Sequence, residues 1–213
     1  MKLEFQTKPE TFKEHWPGEF SSFSWQDFLT CIPSPLFLVT SYKANGLPNA
    51  SLQSWSTFVG EGGEFICLLG AVNKGSHLYR TLRETGCCVL NFPSRDVYDR
   101  CVATVKHNGY DEDELAASGL TAEPAKTVNA PRVLECFLNI ECHMLWEREY
   151  FEGGNGVVIA LKATNICMDE EHMDEAKLGR FGRTGYMYNV HSPRNPLTGE
   201  ALPDCFGALE MYS

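Results

Sequence analysis

The stretch LFLVTSYKANGLPNASLQSWSTFVGEGGEFICLL, residues 36–69, decides the fold class of this protein. It begins with a short apolar run, and Asn45-Gly46 follows as a signal for a tight hairpin turn. Residues 49–59 form a second extended segment that ends at a cluster of glycines, and residues 64–69 are typical of another buried strand. Two hairpins in succession predict an antiparallel meander, because tight turns place consecutive strands side by side.

The rest of the chain adds strands and a few helices. Strands are predicted at residues 87–92, 133–146 and 157–166, and helices after Ser76 and over residues 96–107. Because the strands come as hairpins rather than as repeated β-helix-β crossovers, the fold class is mainly β, a small antiparallel barrel with peripheral helices. The strand at 133–146 alternates strictly, with Cys136, Leu138, Ile140, Cys142 and Met144 on a dry face and Asn139, Glu141 and His143 on a polar face.

Charge and hydropathy exclude several classes of partner. The chain carries 18 Lys and Arg against 28 Asp and Glu, a formal net charge of −10. Such a field repels phosphate backbones, so we expect no nucleic-acid partner. The apolar runs are far shorter than the roughly 20 residues of a membrane-spanning helix, and the charged N-terminal segment does not resemble a signal peptide. We therefore expect no membrane partner and a cytoplasmic location.

The cysteine and histidine side chains, which often act in catalysis or bind metals, are scattered along the sequence. Nine cysteines at irregular spacing predict reduced, buried thiols rather than a disulfide scaffold. The histidines and cysteines lack the paired spacing of a metal site, so no metal is expected. The acidic run at residues 111–114 is interpreted as a solvated turn.

Three stretches remain as candidates for binding. Residues 49–57 carry hydroxyls and amides around Trp55, which could donate to a ligand or could simply be the solvated side chains of an edge strand. Residues 73–77 place Asn73, Lys74, Ser76 and His77 at the start of a helix, where an anion is favoured; the alternative is an ordinary serine-capped helix with a surface lysine. Residues 179–188 combine arginine and aromatic side chains, either to cover a flat ligand or as a surface loop.

In this order, these stretches resemble the flavin reductase-like, FMN-binding split-barrel proteins, and among them the flavoredoxin-like branch. The resemblance covers roughly residues 32–193 and depends on an ordered set of motifs rather than on one stringent signature. Those motifs are PLFLVTS at 35–41, NASLQSWS at 49–56, Ser76-His77 with Tyr79, ETGCCVLNFPS at 84–94 and RTGYMYNVHSP at 183–193.

The resemblance implies a Greek-key split barrel over residues 32–193, between an N-terminal arm or helix at 1–31 and a C-terminal tail at 194–213. It also implies a homodimer with non-covalent FMN near the subunit interface. The positions that it assigns to the cofactor are Asn49, Ser54, Trp55, Ser56, Thr57, Asn73, Lys74, Ser76 and His77, and less securely Lys106 and Tyr186.

Flavin chemistry follows mainly from the cofactor, which accepts hydride while the protein orients and covers it. His143, beside Glu141 on a polar strand face, is the candidate proton donor, although a structural histidine fits the pattern equally well. No dinucleotide fingerprint occurs, so NAD(P)H would stack transiently on the flavin. The expected function is an NAD(P)H-dependent flavin reductase; the alternatives are an electron carrier with a redox partner protein, and a barrel that binds no flavin.

Overall fold

The structure is a computed structural model that describes residues 2–174, 176, 185–190, 195–200 and 205–209. Strands account for most of its regular structure. They are β1 (Ser34–Pro35), β2 (Phe37–Tyr42), β3 (Pro48–Gln53), β4 (Ser56–Glu61), β5 (Glu64–Asn73), β6 (Cys87–Phe92), β7 (Ala122–Pro124), β8 (Pro131–Val133), β9 (Leu138–Glu149), β10 (Gly156–Met168), β11 (Met187–Asn189) and β12 (Phe206–Ala208).

The helices are short. They are α1 (Glu19–Ser22), α2 (Trp25–Thr30), α3 (His77–Thr85), α4 (Tyr98–Ala103) and α5 (Glu114–Ala117), with a 3-10 turn at Glu170–Met173. The helix predicted at 96–107 is thus shorter at both ends, and Val105, near the end of the predicted helix, is 61% exposed. In the described part of the chain, no helix is long and apolar enough to cross a bilayer.

Seven strands form one antiparallel sheet in the order β3-β2-β6-β9-β10-β5-β4. The two predicted hairpins, β2–β3 and β4–β5, are confirmed, and Gly46 takes the positive φ of 83° that the first turn needs. The mainly β, antiparallel fold class is therefore confirmed. Shorter strands make a two-stranded sheet, β7-β8, and a three-stranded sheet, β1-β11-β12.

The long sheet curls into a barrel. The segment at 49–59, predicted as one strand, is two strands, and these strands lie at opposite edges of the sheet. The chain crosses between the edges at Ser54 and Trp55. The rings of Phe37 on β2 and Phe58 on β4 lie 6.0 Å apart, so the two ends of the sheet meet across the interior. The result is an open, Greek-key split barrel.

Two apolar clusters hold this barrel together. The inner cluster fills its interior with side chains from β2, β5, β6, β9 and β10 and from α3. The outer cluster packs α4 and α5 against the other face of β2 and β3, through residues such as Leu38, Val97 and Leu115. Of the nine cysteines, all free, seven are buried, which confirms their predicted role as small core residues.

The prediction of a single strand at 133–146 with one solvent-exposed polar face is partly wrong. This segment becomes β8, a turn and then β9, and Asn139 and Glu141 on the expected polar face are 4% and 0% exposed. Glu141 accepts hydrogen bonds from the amides of Lys126 and Thr127 at 3.0 and 2.6 Å, and from Nε of Arg132 at 2.8 Å. The chain before β8 therefore covers this face, which alternation alone cannot reveal.

The chain divides into two compact units, residues 35–187 with 208–213 and residues 1–34 with 188–207. The barrel strands lie in the first unit. In the second unit, Ser24 and Asp27 form a capping box at the start of α2. The ring of Phe20 packs edge-on against Phe28 at 5.4 Å, which gives the N-terminal segment a small apolar contact of its own.

Candidate functional site

The junction between β3 and β4 forms the first part of the candidate site. Ser54 is buried and Trp55 is half-buried. The amide of Gly70 on β5 donates to the carbonyl oxygen of Trp55 at 2.6 Å. The regular β4–β5 ladder ends at the pair Ser56–Leu69, so this bond extends the pairing by one step. The position of Trp55 is therefore fixed by β5 as well as by its own strands.

The inward face of β3 and β4 carries polar side chains. Asn49 pairs with Ser41, on the same side as the core residues of β2, since directly paired residues point to one face. Ser56 pairs with the core residue Leu69 and also faces inward. Thr57 points to the opposite face and is exposed. The structure thus brings Asn49 and Ser56, but not Thr57, to the inner side.

Two atoms on this inward face are buried and, within the described residues, have no hydrogen-bond partner. They are Nδ2 of Asn49, a residue that is 1% exposed, and Oγ of Ser56. A buried polar atom without a partner costs about 1–3 kcal/mol. Such atoms are therefore the places where a ligand with complementary groups gains most.

The start of α3 forms the second part of the site. Oγ of Ser76 accepts from the amide of Tyr79 at 3.1 Å and donates to the carbonyl of Asn73 at 2.7 Å, while Oδ1 of Asn73 accepts from the amide of Gly75. The serine-capped helix considered from the sequence is therefore present, and its end at Gly86, with φ 68°, is also as predicted. The cap also leaves amides of the first turn directed outward, as at any helix start.

Lys74 is paired with a carboxylate. Its ammonium group contacts Oε1 of Glu149 at the end of β9, and its amide donates to the carbonyl of Asn155 at 2.9 Å. The hydrogen bond from Lys74 lowers the pKa of Glu149. A ligand phosphate at the start of α3 would therefore compete with Glu149 for this lysine.

The acidic run at 111–114 is not a solvated turn throughout, because Glu114 is 1% exposed. Its Oε2 accepts from the amide of Ala50 at 2.7 Å, and its Oε1 lies 2.9 Å from Nζ of Lys43, which is itself buried. Nδ1 of His77 lies 3.8 Å from the same Oε1. Glu114 therefore connects the β3 segment that carries Asn49 with the start of α3.

The less secure candidates lie elsewhere. Lys106 has an exposed side chain in the turn after α4. Tyr186 packs edge-on against Phe92 and Phe137, with ring centroids 5.6 and 5.1 Å away. His143 is exposed on the outward face of β9, between Cys87 on β6 and Lys162 on β10. Residues 179–184 of the third predicted stretch lie outside the described residues.

The thiols inside the barrel do not supply a nucleophile. Burial raises the pKa of Cys67 and Cys88, and burial with the nearby Glu141 charge raises the pKa of Cys142 to about 12. Since the thiolate is the reactive form, these three side chains stay protonated and inert near neutral pH.

Sequence reasoning missed Gly70, Glu114 and Glu149. Gly70 directly follows the strand predicted at 64–69, which the structure extends to Asn73, and a glycine within a strand often marks a close backbone approach. For Glu114, the helix-capping Asp113 just before it indicated a short helix but not burial. Glu149 meets Lys74 across a long separation in sequence, and no local pattern could have indicated that contact.

The fold is a split barrel whose inward face carries the buried polar atoms of Asn49 and Ser56. Comparison of the sequence with protein families then identifies its group: residues 29–189 match the flavin reductase like domain, and the chain belongs to this family.

Known structures and sequences agree with that assignment at the level of the fold. Nitrilotriacetate monooxygenase component B from Bacillus cereus superposes with a TM-score of 0.74 at 15% identity, over 94% of this chain and 97% of that one. Flavoredoxin of Desulfovibrio vulgaris (Miyazaki F) gives a TM-score of 0.66 at 22% identity, over 85% and 89%. An uncharacterized protein of Methanothermobacter thermautotrophicus (strain Delta H) is 26% identical over 142 residues, 66% of each chain.

Proposed function

We propose that this protein binds FMN non-covalently and acts as an NAD(P)H-dependent flavin reductase or related oxidoreductase. The observation that carries the proposal is the presence of two buried, unpartnered polar atoms, Nδ2 of Asn49 and Oγ of Ser56, on the inward face of a chain of the flavin reductase-like family. An isoalloxazine ring offers carbonyl oxygens and ring nitrogens that complement an amide donor and a hydroxyl. The residues present therefore fit a flavin.

The phosphate of the cofactor is assigned to the start of α3. A helix start favours an anion because its first amides and its dipole both point toward negative charge. Ser76, Asn73 and Gly75 shape the turn, and Lys74 adds a cation beside it. Glu149, which holds Lys74 in the structure, weakens this site until a phosphate displaces it.

The flavin, when bound, supplies the group that accepts hydride from a nicotinamide. The residues of this chain bind and orient it: Asn49 and Ser56 hydrogen-bond it, Ser54 and Trp55 shape the surface beside its ring, and Thr57 stays a weaker candidate because it faces away. Closed apolar surroundings on the barrel side would keep water from one face of the ring.

We propose a homodimer because the outward face of the sheet exposes apolar side chains. Val59 and Trp146 on this face are 47% and 41% exposed, beside the half-buried Ile66 and Leu68. Exposed apolar patches of this kind mark interaction sites. A second copy docked there would also cover His143, which stays the proton donor proposed from the sequence and lies on the other face of the sheet from Asn49 and Ser56.

The functional test is a flavin titration followed by anaerobic reduction. FMN added to the protein should be retained through gel filtration, with visible flavin absorbance at about one equivalent per chain. NADH or NADPH should then bleach it without air. A protein that ignores excess FMN contradicts the proposal. If dithionite bleaches the bound flavin but neither NADH nor NADPH does, the protein is instead an electron carrier that receives electrons from a partner protein. We place this activity in the cytoplasm, where the free thiols stay reduced.

A further inference from the structure

Two contacts fix the orientation of the buried carboxylate of Glu114. Its Oε2 accepts from the amide of Ala50 at 2.7 Å, and Nζ of Lys43 lies 2.9 Å from its Oε1. Lys43 is held in turn by the carbonyls of Gly109 and Glu112 at 2.9 and 2.7 Å. Lys43 and Glu114 neutralise each other, so this cluster carries no net charge in the interior.

Oε1 of Glu114 is aimed at His77. Nδ1 of His77 lies 3.8 Å away and makes no hydrogen bond within the described residues, whereas Oε1 is already paired with Nζ of Lys43. The ring of Tyr110 packs edge-on against His77 at 5.6 Å from another side. A rotation of the imidazole toward Oε1 would give the buried Nδ1 its missing partner, and Oε1 has a second lone pair to accept it beside Lys43.

This contact determines which nitrogen of a neutral His77 carries the proton. A carboxylate can only accept, so Nδ1 must be the donor. Nε2 then keeps its lone pair and can only accept. The side chain of His77 is 22% exposed while Nδ1 is buried, so the accessible part of the ring lies away from Glu114.

We propose that Glu114 is a positioning residue that holds His77 in its Nδ1–H form, so that Nε2 accepts a hydrogen bond from a hydroxyl of the flavin side chain. This inference rests on the proposed function for its ligand. It assigns His77 to a ribityl hydroxyl and not to the phosphate, because an acceptor nitrogen would repel phosphate oxygens.

The first measurement needs no substitution and no flavin. Long-range nitrogen–proton NMR of the full-length chain, at a pH where His77 is neutral, should show the proton on Nδ1. A neutral histidine side chain in water favours the proton on Nε2, so a proton on Nε2 of His77 overturns the proposal. Glu114→Ala should move the proton to Nε2. Glu112→Ala is the control. It removes the contact of 2.8 Å between Oε1 of Glu112 and Nδ1 of His107, and it should leave the proton of His77 on Nδ1.

The second measurement compares flavins. His77→Ala, at the start of α3, should weaken FMN and riboflavin by the same factor, about five- to tenfold, the loss of one neutral hydrogen bond. Glu114→Ala also leaves the buried Lys43 without its carboxylate, so its effect is compared in the wild type and in the His77→Ala background. The effect of Glu114→Ala on flavin affinity should be smaller in the His77→Ala background, because Glu114 acts on the flavin through His77. Additive losses, or a loss for FMN alone, contradict the proposal. Wild-type protein that ignores both flavins would end the proposed function, while the NMR result would still decide the Glu114–His77 contact.

Discussion

The amide nitrogen of Gly70 and the carbonyl oxygen of Trp55 lie 2.6 Å apart, and this bond fastens the β3–β4 junction to β5. The contact needs a residue without a side chain. A Cβ on Gly70 would lie 2.8 Å from Oη of Tyr150 and 2.9 Å from the oxygen of Trp55. The side chain of Tyr150 can give up its bond from the amide of Ala71, but the oxygen of Trp55 belongs to the backbone and cannot move without moving the β3–β4 junction. Gly70 therefore sets the position of Trp55 by being small.

Gly70→Ala should displace Trp55 and weaken flavin binding. Overpacking of this kind costs about 1–3 kcal/mol of stability. Urea denaturation and FMN titration would measure the two effects. Gly60→Ala is the matched control, because its Cβ would lie 3.8 Å from the nearest atom, the carbonyl oxygen of Glu64. Equal FMN affinity in the two variants would show that Trp55 is not placed by this contact.

Ser76→Asp should distinguish the two roles of Ser76, which caps α3 and is proposed to bind the phosphate of FMN. Aspartate caps a helix as well as serine does, so the melting temperature should stay close to that of the wild type. Its charge would repel a phosphate, so FMN should bind about tenfold or more weakly, while riboflavin binding should change little. Isothermal titration with both flavins measures this. Equal losses for FMN and riboflavin would place the phosphate elsewhere.

Glu149→Gln should strengthen FMN binding. The substitution removes the carboxylate that holds Lys74 and so frees its ammonium group for the phosphate. We expect affinity for FMN to rise a few-fold, more at low salt than at high salt, because exposed charges are screened. Glu64→Gln, which breaks the comparable exposed pair with Lys162 at 2.8 Å, is the control. No change in FMN affinity would mean that Lys74 does not reach the phosphate.

Glu141 should make the barrel sensitive to acid. Burial raises the pKa of Glu141, but hydrogen bonds from Lys126, Thr127, Asn165 and Arg132 outweigh burial and lower the pKa to about 2, from 4.5. A carboxyl group whose pKa is lowered by folding stabilises the fold above its unfolded pKa, and this stabilisation is lost as the pH falls toward the folded pKa. The shift corresponds to roughly 3 kcal/mol at neutral pH.

Glu141→Gln should therefore lower the free energy of unfolding at pH 7, and the difference from wild type should shrink as the pH falls from about 4.5 toward 2. Urea denaturation across this range measures it. Glu123→Gln removes the more exposed partner of Arg132, at 3.5 Å, and serves as the control. A difference that stays constant with pH would show that the charge of Glu141 does not stabilise the fold.

Local signals in the sequence predicted the parts of the fold that depend on neighbours along the chain. Asn45-Gly46 indicated the first hairpin, and Ser76 with Gly86 indicated the limits of α3. The sequence did not show that residues 49–59 cross between the two edges of the sheet, because both halves look equally extended.

For the candidate site too, the sequence indicated residues with a local signal but not contacts between distant parts of the chain. Asn49, Ser54 and Ser56 were proposed as site residues because hydroxyls and amides are unusual in a strand that only packs, and they stay a prediction. The burial of Lys43 and Glu114 was missed, since each is buried only because the other neutralises it from a distant part of the chain. Charge compensation between distant residues depends on the final topology, and no periodicity encodes it.

Trp146→Asp should convert the proposed dimer into a monomer. Trp146 lies on the outward face of β9, opposite Ala160 of β10 and, beyond it, Leu68 of β5, and a buried charge there would cost more than a dimer interface can offset. Light scattering should give a monomer of 23.9 kDa for the variant and twice that mass for the wild type. Phe151→Asp is the control, because Phe151 is 81% exposed in the turn after β9, away from the sheet face. A wild type that scatters as a monomer at micromolar concentration, or a dimer that survives Trp146→Asp but not Phe151→Asp, would show that this face does not join two copies.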